Sequence, residues 1–163
     1  MLTQERLKEV LHYDPETGIF TWVKPSSNRL KPGDLAGSIE PDGYRKIMVD
    51  NKNYKANRLA WLYMTGVFPE HEIDHRNTCR SDDSFFNLRH ATHSQNAQNA
   101  SIRTDNTSGI KGVFWHKYSA RWVARLQSNG KQKCVGYFIS KEEAGNALHE
   151  ARERLHGEFA NHG

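Results

Sequence analysis

The sequence predicts an α+β fold in which small antiparallel sheets alternate with short helices. The 163 residues are enough for one ordinary core or two small ones, and 36% hydrophobic and 10% aromatic residues are too many for a disordered chain. Short alternating segments bounded by Gly, Pro and Asn indicate strands joined by tight turns. Apolar residues at helical spacing lie between these segments and indicate single amphipathic helices.

An antiparallel sheet and two helices are predicted before residue 70. Thr3 is placed to cap a short helix that ends near residues 13–15. Residues 14–18 are typical of a turn, and Gly66 is placed to end the second helix through a left-handed cap. The predicted strands are 18–23, 44–49 and 53–56, with 50–52 as the turn of a hairpin. The second helix is predicted at 58–65.

A compact unit of two strands and a helix is predicted within residues 71–100. The strands are 71–75 and 87–91, a polar loop connects them, and Thr92 or Ser94 caps the helix that follows. A unit of this size has only a small core, and packing alone does not account for its polar residues. These are Asp74, His75, Asn87, Asn96 and Asn99.

These residue types suit metal-assisted hydrolysis. Asp74 and His75 are adjacent, so on an extended strand they point to opposite sides unless the strand ends there. A carboxylate is a ligand for a hard cation, and an imidazole is a general base that titrates near neutrality. Asn96 can supply a second oxygen, which favours Mg²⁺ or Mn²⁺ over zinc because no thiolate is nearby. Asn87 can accept a hydrogen bond from the imidazole or pin the loop.

A three-stranded sheet packed on one helix is predicted for residues 110–163, after a polar linker at 101–109. The strands are 112–117, 121–127 and 131–138, with a hairpin turn at 128–130. Ser140 begins a capping box, and the helix after it carries one apolar stripe. The stripe consists of Ala144, Ala147, Leu148, Ala151 and Leu155. In the middle strand Trp122, Ala124 and Leu126 can meet this helix, which leaves the other face polar and basic.

The positive charge is concentrated in one stretch of the sequence. The net charge is +4, but residues 1–100 hold 13 Lys and Arg against 13 Asp and Glu. Residues 101–140 hold 7 against 1, and the last 23 residues hold 3 against 5. Such a stretch is expected of a binding surface for a polyanion, and a solvated basic face without a partner is the alternative.

Two classes of protein are disfavoured by composition. No window approaches the ~18 consecutive apolar residues of a spanning helix, and the first residues lack the basic and apolar segments of an export signal. Cys79 and Cys134 lie far apart, which argues against a disulfide framework and a cysteine zinc site. We therefore expect a cytoplasmic protein without a membrane partner.

Several motifs resemble the HNH nucleases, also called ββα-metal or His-Me finger enzymes, of the phage and intron-encoded homing type. Together they cover roughly residues 5–100. The core motifs are Ile73-Asp74-His75, Asn87-Leu88-Arg89 and Thr92–Asn99, and the upstream ones are Asp14–Gly18, Gly43-Tyr44 and Asn57–Trp61. The chain departs from the family by having Asn96 at the final His and Asn57 where relatives often have His.

This resemblance implies a role for each matching residue. His75 would activate water, Asp74 and Asn96 would hold one divalent metal ion, and Asn87 would position the base. Arg89 would contact a phosphate of the DNA, and the alternative is a salt bridge from Arg89 to Asp82 or Asp83 on the loop.

The C-terminal part resembles the DNA-binding domain of plant ethylene-response (Apetala-type) factors. The matching segments are Gly112-Val113, Arg121–Ala124, Gly136–Phe138, Glu142–Ala144 and Gly157–Asn161. That domain reads the major groove with its sheet. The resemblance implies DNA contacts at Lys111, His116, Arg125 and Gln127. Phe114 and Cys134 stand where the plant factors often have a basic or aromatic contact.

We therefore expect a metal-dependent endonuclease that acts on double-stranded DNA. The resemblance to phage nucleases implies that, if phage-encoded, it acts in the cytoplasm of a bacterial host cell. Its HNH module would span residues 1–100, with the ββα core at about 71–100, and its DNA-binding domain would span 110–163. A monomer has one base and one metal ion, so it would nick DNA, and cutting both strands would require a dimer or a second encounter. The alternative is a DNA-binding regulator whose HNH fold is vestigial.

Overall fold

The structure is a computed structural model that describes residues 2–128 and 130–163. Its helices and strands confirm the predicted α+β class. In chain order they are α1 (Gln4–Val10), β1 (Leu11–Tyr13), β2 (Phe20–Trp22), β3 (Ser38–Ile39), β4 (Arg45–Val49), β5 (Lys52–Lys55), α2 (Ala56–Thr65), β6 (Glu72–His75), β7 (Leu88–Ala91), α3 (His93–Asn99), β8 (Val113–His116), β9 (Arg121–Ser128), β10 (Lys131–Phe138) and α4 (Lys141–His156). None of these helices is long and apolar enough to cross a membrane.

Two compact units divide the chain, Met1–Ala91 and Thr92–Gly163. The first contains the antiparallel pair β1–β2, the sheet β3–β4–β5 and the pair β6–β7. The second contains α3 and the antiparallel sheet β10–β9–β8, which is covered by α4. The predicted domain limits at residues 100 and 109 stay a prediction.

The core of the first unit is formed by apolar side chains from its helices and its sheets. Leu7, Phe20, Ile47 and Leu59 are fully buried in it. The first helix was predicted to continue to residues 13–15, but α1 ends at Val10. The chain turns extended there because residues 11–13 pair with β2, which buries alternate side chains of β1 in the core.

Local turn chemistry behaves as predicted at two places in the first unit. Asp50 and Asn51 join β4 to β5 in left-handed conformations, with φ of 48° and 62°. This backbone suits the twist of a hairpin and is best tolerated by Gly, Asn and Asp. Gly66 ends α2 with φ of 78°, and its N–H donates to the carbonyl of Leu62.

In the second unit, the apolar face of α4 packs on the sheet. Ser140 caps α4 in the predicted capping box with Glu143. The buried residues between helix and sheet are Ala144, Leu148 and Ala151 from α4 with Val113, Ala124 and Leu126 from the strands. Asn129, in the predicted hairpin turn, lies outside the described residues.

The predicted apolar stripe of α4 is wrong at its C-terminal end. Leu155 is 40% exposed, whereas Arg152 and His156 are buried. Arg152 donates to the carbonyl of Lys111, and His156 bonds through Nε2 to the carbonyl of Gln127 at 2.9 Å. Polar side chains can therefore replace an apolar contact here because backbone carbonyls accept their hydrogen bonds.

Candidate functional site: the end of β6

A buried ion pair joins the two strands of the β6–β7 hairpin. Asp74 lies directly opposite Arg89 in the antiparallel register, so the two side chains share one face. Arg89 Nε and Nη2 both lie 2.9 Å from Asp74 Oδ2, and the side chains are only 6% and 5% exposed. The predicted alternative for Arg89, a salt bridge to Asp82 or Asp83, is therefore wrong in its partner, because strand pairing brings Asp74 opposite.

His75 is the last residue of β6, and its imidazole is bound to a second buried carboxylate. His75 Nε2 lies 3.0 Å from Asp83 Oδ1, and these side chains are 3% and 2% exposed. Burial raises the pKa of Asp83, and the hydrogen bond from His75 opposes that rise. The ring of Tyr44 lies beside His75 with centroids 5.7 Å apart.

Asn87 fixes the loop that leads from His75 to Asp83. Its Nδ2 donates to Asn77 Oδ1 at 3.0 Å and to the carbonyl of Asp82 at 2.8 Å. Its Oδ1 accepts from the backbone N–H of Asn77 at 3.0 Å. Of the two roles that the sequence left open for Asn87, these bonds correspond to pinning the loop.

Three cations lie near Tyr44 or near the buried carboxylate of Asp83. Lys55 Nζ lies 3.5 Å from the centre of the Tyr44 ring, and Arg80 Cζ lies 5.1 Å from it. Arg45 is close enough to Asp83 to favour its ionised form. The charge of residues 1–100 does not indicate these three cations, because acidic residues elsewhere in the same stretch balance them. Arg45 begins β4, Lys55 ends β5 and Arg80 lies on the loop after β6, so the fold brings their charges near Tyr44 and Asp83, where a phosphate group would be attracted.

Asn96 lies on α3, in the second unit. Thr92 caps this helix in a capping box with Gln95, and the N–H of Asn96 donates to the carbonyl of Thr92 at 3.0 Å. The capping residue predicted from the sequence as Thr92 or Ser94 is thus Thr92. The shared metal role of Asn96 and Asp74 stays a prediction.

Lys111 faces inward within the second unit. Its ammonium group donates to the carbonyls of Gln98 and Asn161 at 2.9 and 3.1 Å, and also to that of Ala100. Burial lowers the pKa of Lys111 to about 8. Lys111 therefore has a structural role, because three backbone carbonyls accept hydrogen bonds from its ammonium group, and its contact with DNA stays a prediction.

His116, Arg125 and Gln127, which were also predicted to contact DNA, lie on the sheet face opposite α4. The register places His116 opposite Arg121, on the same face as Arg125 and Gln127. Arg125 Cζ lies 5.0 Å from the centre of the Phe114 ring, and His116 Nδ1 bonds to Ser119 Oγ at 2.8 Å. The register therefore places these residues on one face, which also carries the fully buried Val123, and their contact with DNA stays a prediction.

A further polar cluster lies on α4 and the C-terminal segment. Ligand atoms of His149, Glu153 and His162 lie within 4.8 Å of one another. The two imidazole rings stack with centroids 3.8 Å apart, and His162 Nε2 bonds to Glu153 Oε1 at 2.8 Å. His149 and Glu153 are exposed, so this cluster is a surface feature of the second unit.

Two comparisons with known proteins give matches to this chain. A family model described as HNH endonuclease matches residues 54–98. Protein 3.8 of Escherichia phage T7 is 34% identical over 113 residues, which cover 66% of this chain and 91% of the phage protein. Residues 54–98 belong to the HNH endonuclease family, and the chain is a homologue of Protein 3.8. No solved structure matches the chain.

The HNH domain contains the residues that sequence reasoning selected for chemistry: Asp74, His75, Asn87, Arg89 and Asn96. It also contains Asp83, which sequence reasoning weighed only as a partner for Arg89. The available signal was an acidic residue eight positions after His75 in a polar loop. No comparison shows a plant-type DNA-binding domain in the C-terminal part, so that assignment also stays a prediction.

Proposed function

We propose that this HNH protein is a metal-dependent endonuclease that hydrolyses phosphodiester bonds of double-stranded DNA. The observation that carries the proposal is the state of His75 within the HNH domain. The imidazole is buried at a strand end, bound to one carboxylate and adjacent in sequence to another. Burying such a group requires compensation by specific partners, which is typical of a catalytic centre.

His75 would act as the general base. An imidazole that donates from Nε2 to Asp83 carries its proton there, so Nδ1 is the nitrogen that can accept a proton from water. The hydroxide formed attacks phosphorus, and the bond to the 3′ oxygen breaks. The products are a 5′ phosphate and a 3′ hydroxyl, whose proton comes from solvent. Cations beside Tyr44 would hold the phosphate for this attack.

By the chemistry of their side chains, Asp74 and Asn96 would hold one Mg²⁺ or Mn²⁺ ion. They offer carboxylate and amide oxygens, which hard divalent cations prefer, whereas the thiols of Cys79, on the loop after β6, and Cys134 are exposed. When bound, such an ion supplies positive charge for the scissile phosphate and the leaving oxygen. Asn87 holds the loop behind the site, and the basic face of the second unit would bind flanking DNA.

Incubation with supercoiled plasmid tests this function. The wild-type chain should convert the plasmid to the nicked form with Mg²⁺ or Mn²⁺ and not with EDTA. His75→Ala should cut about 10²- to 10⁴-fold more slowly, because general-base catalysis is worth that much, while its affinity for DNA stays within about twofold.

His12→Ala is the matched control, since His12 is an exposed histidine of the same unit and should cut like wild type. Cleavage by His75→Ala at the wild-type rate would remove His75 as the base. A wild-type chain that binds DNA but cuts none with either metal would favour the alternative of a DNA-binding regulator.

A further inference from the structure

The turn between β1 and β2, residues 14–18, has no role in the proposed function. Asp14 organises this turn by accepting hydrogen bonds from the N–H of Glu16 at 3.0 Å and from Thr17 Oγ1 at 2.8 Å. The turn ends at Gly18 with φ of 73°. It is thus a rigid, locally bonded loop between β1 and β2.

This turn clamps the backbone around Asp83. A Cβ on Gly18 would overlap the carbonyl carbon of Asp83 and the nitrogen of Ser84, so only glycine permits the approach. Pro15 accepts a hydrogen bond from the N–H of Phe85 at 2.9 Å. Just before the turn, the buried hydroxyl of Tyr13 donates to the carbonyl of Asp83 at 2.7 Å. The hairpin therefore fixes the chain from Asp83 onward.

The Asp83 side chain has one hydrogen-bonded partner among the described residues. Oδ1 bonds to His75, while Oδ2 is buried and has no partner in that part of the chain. A buried carboxylate oxygen without a partner is rare and requires an explanation. Because burial raises the pKa of Asp83, the ionised carboxylate is less favourable in the folded chain than in the unfolded one. A residue selected for stability alone would be uncharged here.

We propose that Asp83 is the positioning residue for His75, and that the Asp14–Gly18 turn serves the nuclease site by holding Asp83. This inference rests on the proposed function of His75 as the base. The carboxylate accepts the Nε2–H of the imidazole, which sets the ring orientation and keeps the proton off Nδ1. The turn restricts the position of Oδ1, because the hairpin holds the Asp83 carbonyl and the backbone that follows it.

Asp83→Ala and Asp83→Asn in the full chain test the side chain. We expect Asp83→Ala to lower kcat for plasmid nicking about 10- to 100-fold, as for other groups that orient a reactive residue, with KM for DNA within about twofold. Asp83→Asn should also lower kcat, yet its melting temperature at neutral pH should not fall. Asp50→Asn loses the same charge at an exposed site in the same unit and should leave kcat unchanged.

A double variant separates positioning from general folding effects. On the His75→Ala background, Asp83→Ala should cause no further loss of cleavage, because the group that it positions is gone. If the double variant loses the same factor again, Asp83 acts independently of His75 and the proposal is overturned.

Two substitutions test the turn. Tyr13→Phe removes only the hydroxyl that bonds to Asp83 and should lower kcat several-fold. Gly18→Ala should lower it further because its methyl group displaces Asp83. Gly33→Ala is the matched control, since Gly33 also has positive φ but no atom within 4 Å of its added Cβ. Wild-type kcat in both folded variants would refute the role of the turn.

The tautomer of His75 gives a measurement that does not depend on cleavage. Long-range ¹H–¹⁵N correlation spectra of the free chain should show the proton on Nε2 in wild type and a mixture of tautomers in Asp83→Ala. If the wild type cuts no DNA, the proposed function fails, and the tautomer alone decides the inference. An identical tautomer in wild type and Asp83→Ala would overturn it.

Discussion

Replacing Arg89 by Met should strongly destabilise the first unit, because it removes the positive charge that the buried Asp74 carboxylate contacts. The two side chains are 6% and 5% exposed and meet through two N···O distances of 2.9 Å. Charges about 4 Å apart attract by about 4 kcal/mol at an effective dielectric constant of about 20. Removing one member of a buried pair typically costs about 3–5 kcal/mol. We expect the free energy of unfolding to fall by that amount.

Urea unfolding followed by circular dichroism measures this destabilisation in four chains: wild type, Arg89→Met, Asp74→Asn and the double variant. The double variant should be at least about 1 kcal/mol more stable than Arg89→Met, because an amide tolerates burial better than a carboxylate. Arg6→Met is the control. It breaks a pair with Asp50 that is 43% and 50% exposed, and exposed pairs contribute at most about 1 kcal/mol.

Two results would refute this reasoning. A coupling energy below about 0.5 kcal/mol between Asp74 and Arg89 would mean that the pair does not stabilise the fold. The second concerns DNA binding, where each cation bound to a phosphate contributes about 0.9 to the slope of log affinity against log salt. Arg89→Met should leave this slope unchanged, and a change of that size would mean that Arg89 binds a phosphate.

Two other predictions concern Lys111 and the metal ligands. The folded pKa of Lys111, about 8, lies below the ordinary 10.5, so the unfolded state binds more protons between these values and the free energy of unfolding should rise with pH there. In urea titrations at several pH values, Lys111→Met should abolish that rise. The same variant should leave the slope of log DNA affinity against log salt concentration unchanged, whereas Arg125→Ala should reduce that slope by about 0.9. Asp74→Asn and Asn96→Ala should each raise the metal concentration needed for half-maximal nicking, and excess Mn²⁺ should rescue Asn96→Ala better because a neutral ligand is the smaller loss. Unaltered metal titrations would refute this ligand set.

Sequence alone was sufficient where neighbouring residues decide the conformation. The hairpin at Asp50-Asn51, the left-handed end of α2 at Gly66 and the capping box at Ser140 were all predicted and are present. Each depends on backbone sterics or on a hydrogen bond within about four residues, so the neighbouring residues are sufficient to predict it. The nuclease-type domain was predictable for a related reason, since its motifs are short and keep a recognisable order.

Tertiary structure decided which polar side chains meet. Arg89 had acidic candidates in the adjacent loop, but strand pairing placed Asp74 opposite it. Asp83 looked like a partner for Arg89 and instead binds His75, because a turn some 65 residues earlier holds its backbone. Lys111 was predicted to contact DNA, and in the fold its ammonium group donates hydrogen bonds to three backbone carbonyls. A long polar side chain has many possible partners in the sequence, and only the packed fold determines which of them lies within hydrogen-bonding distance. Burial then excludes the water molecules that would otherwise compete for the same hydrogen bonds.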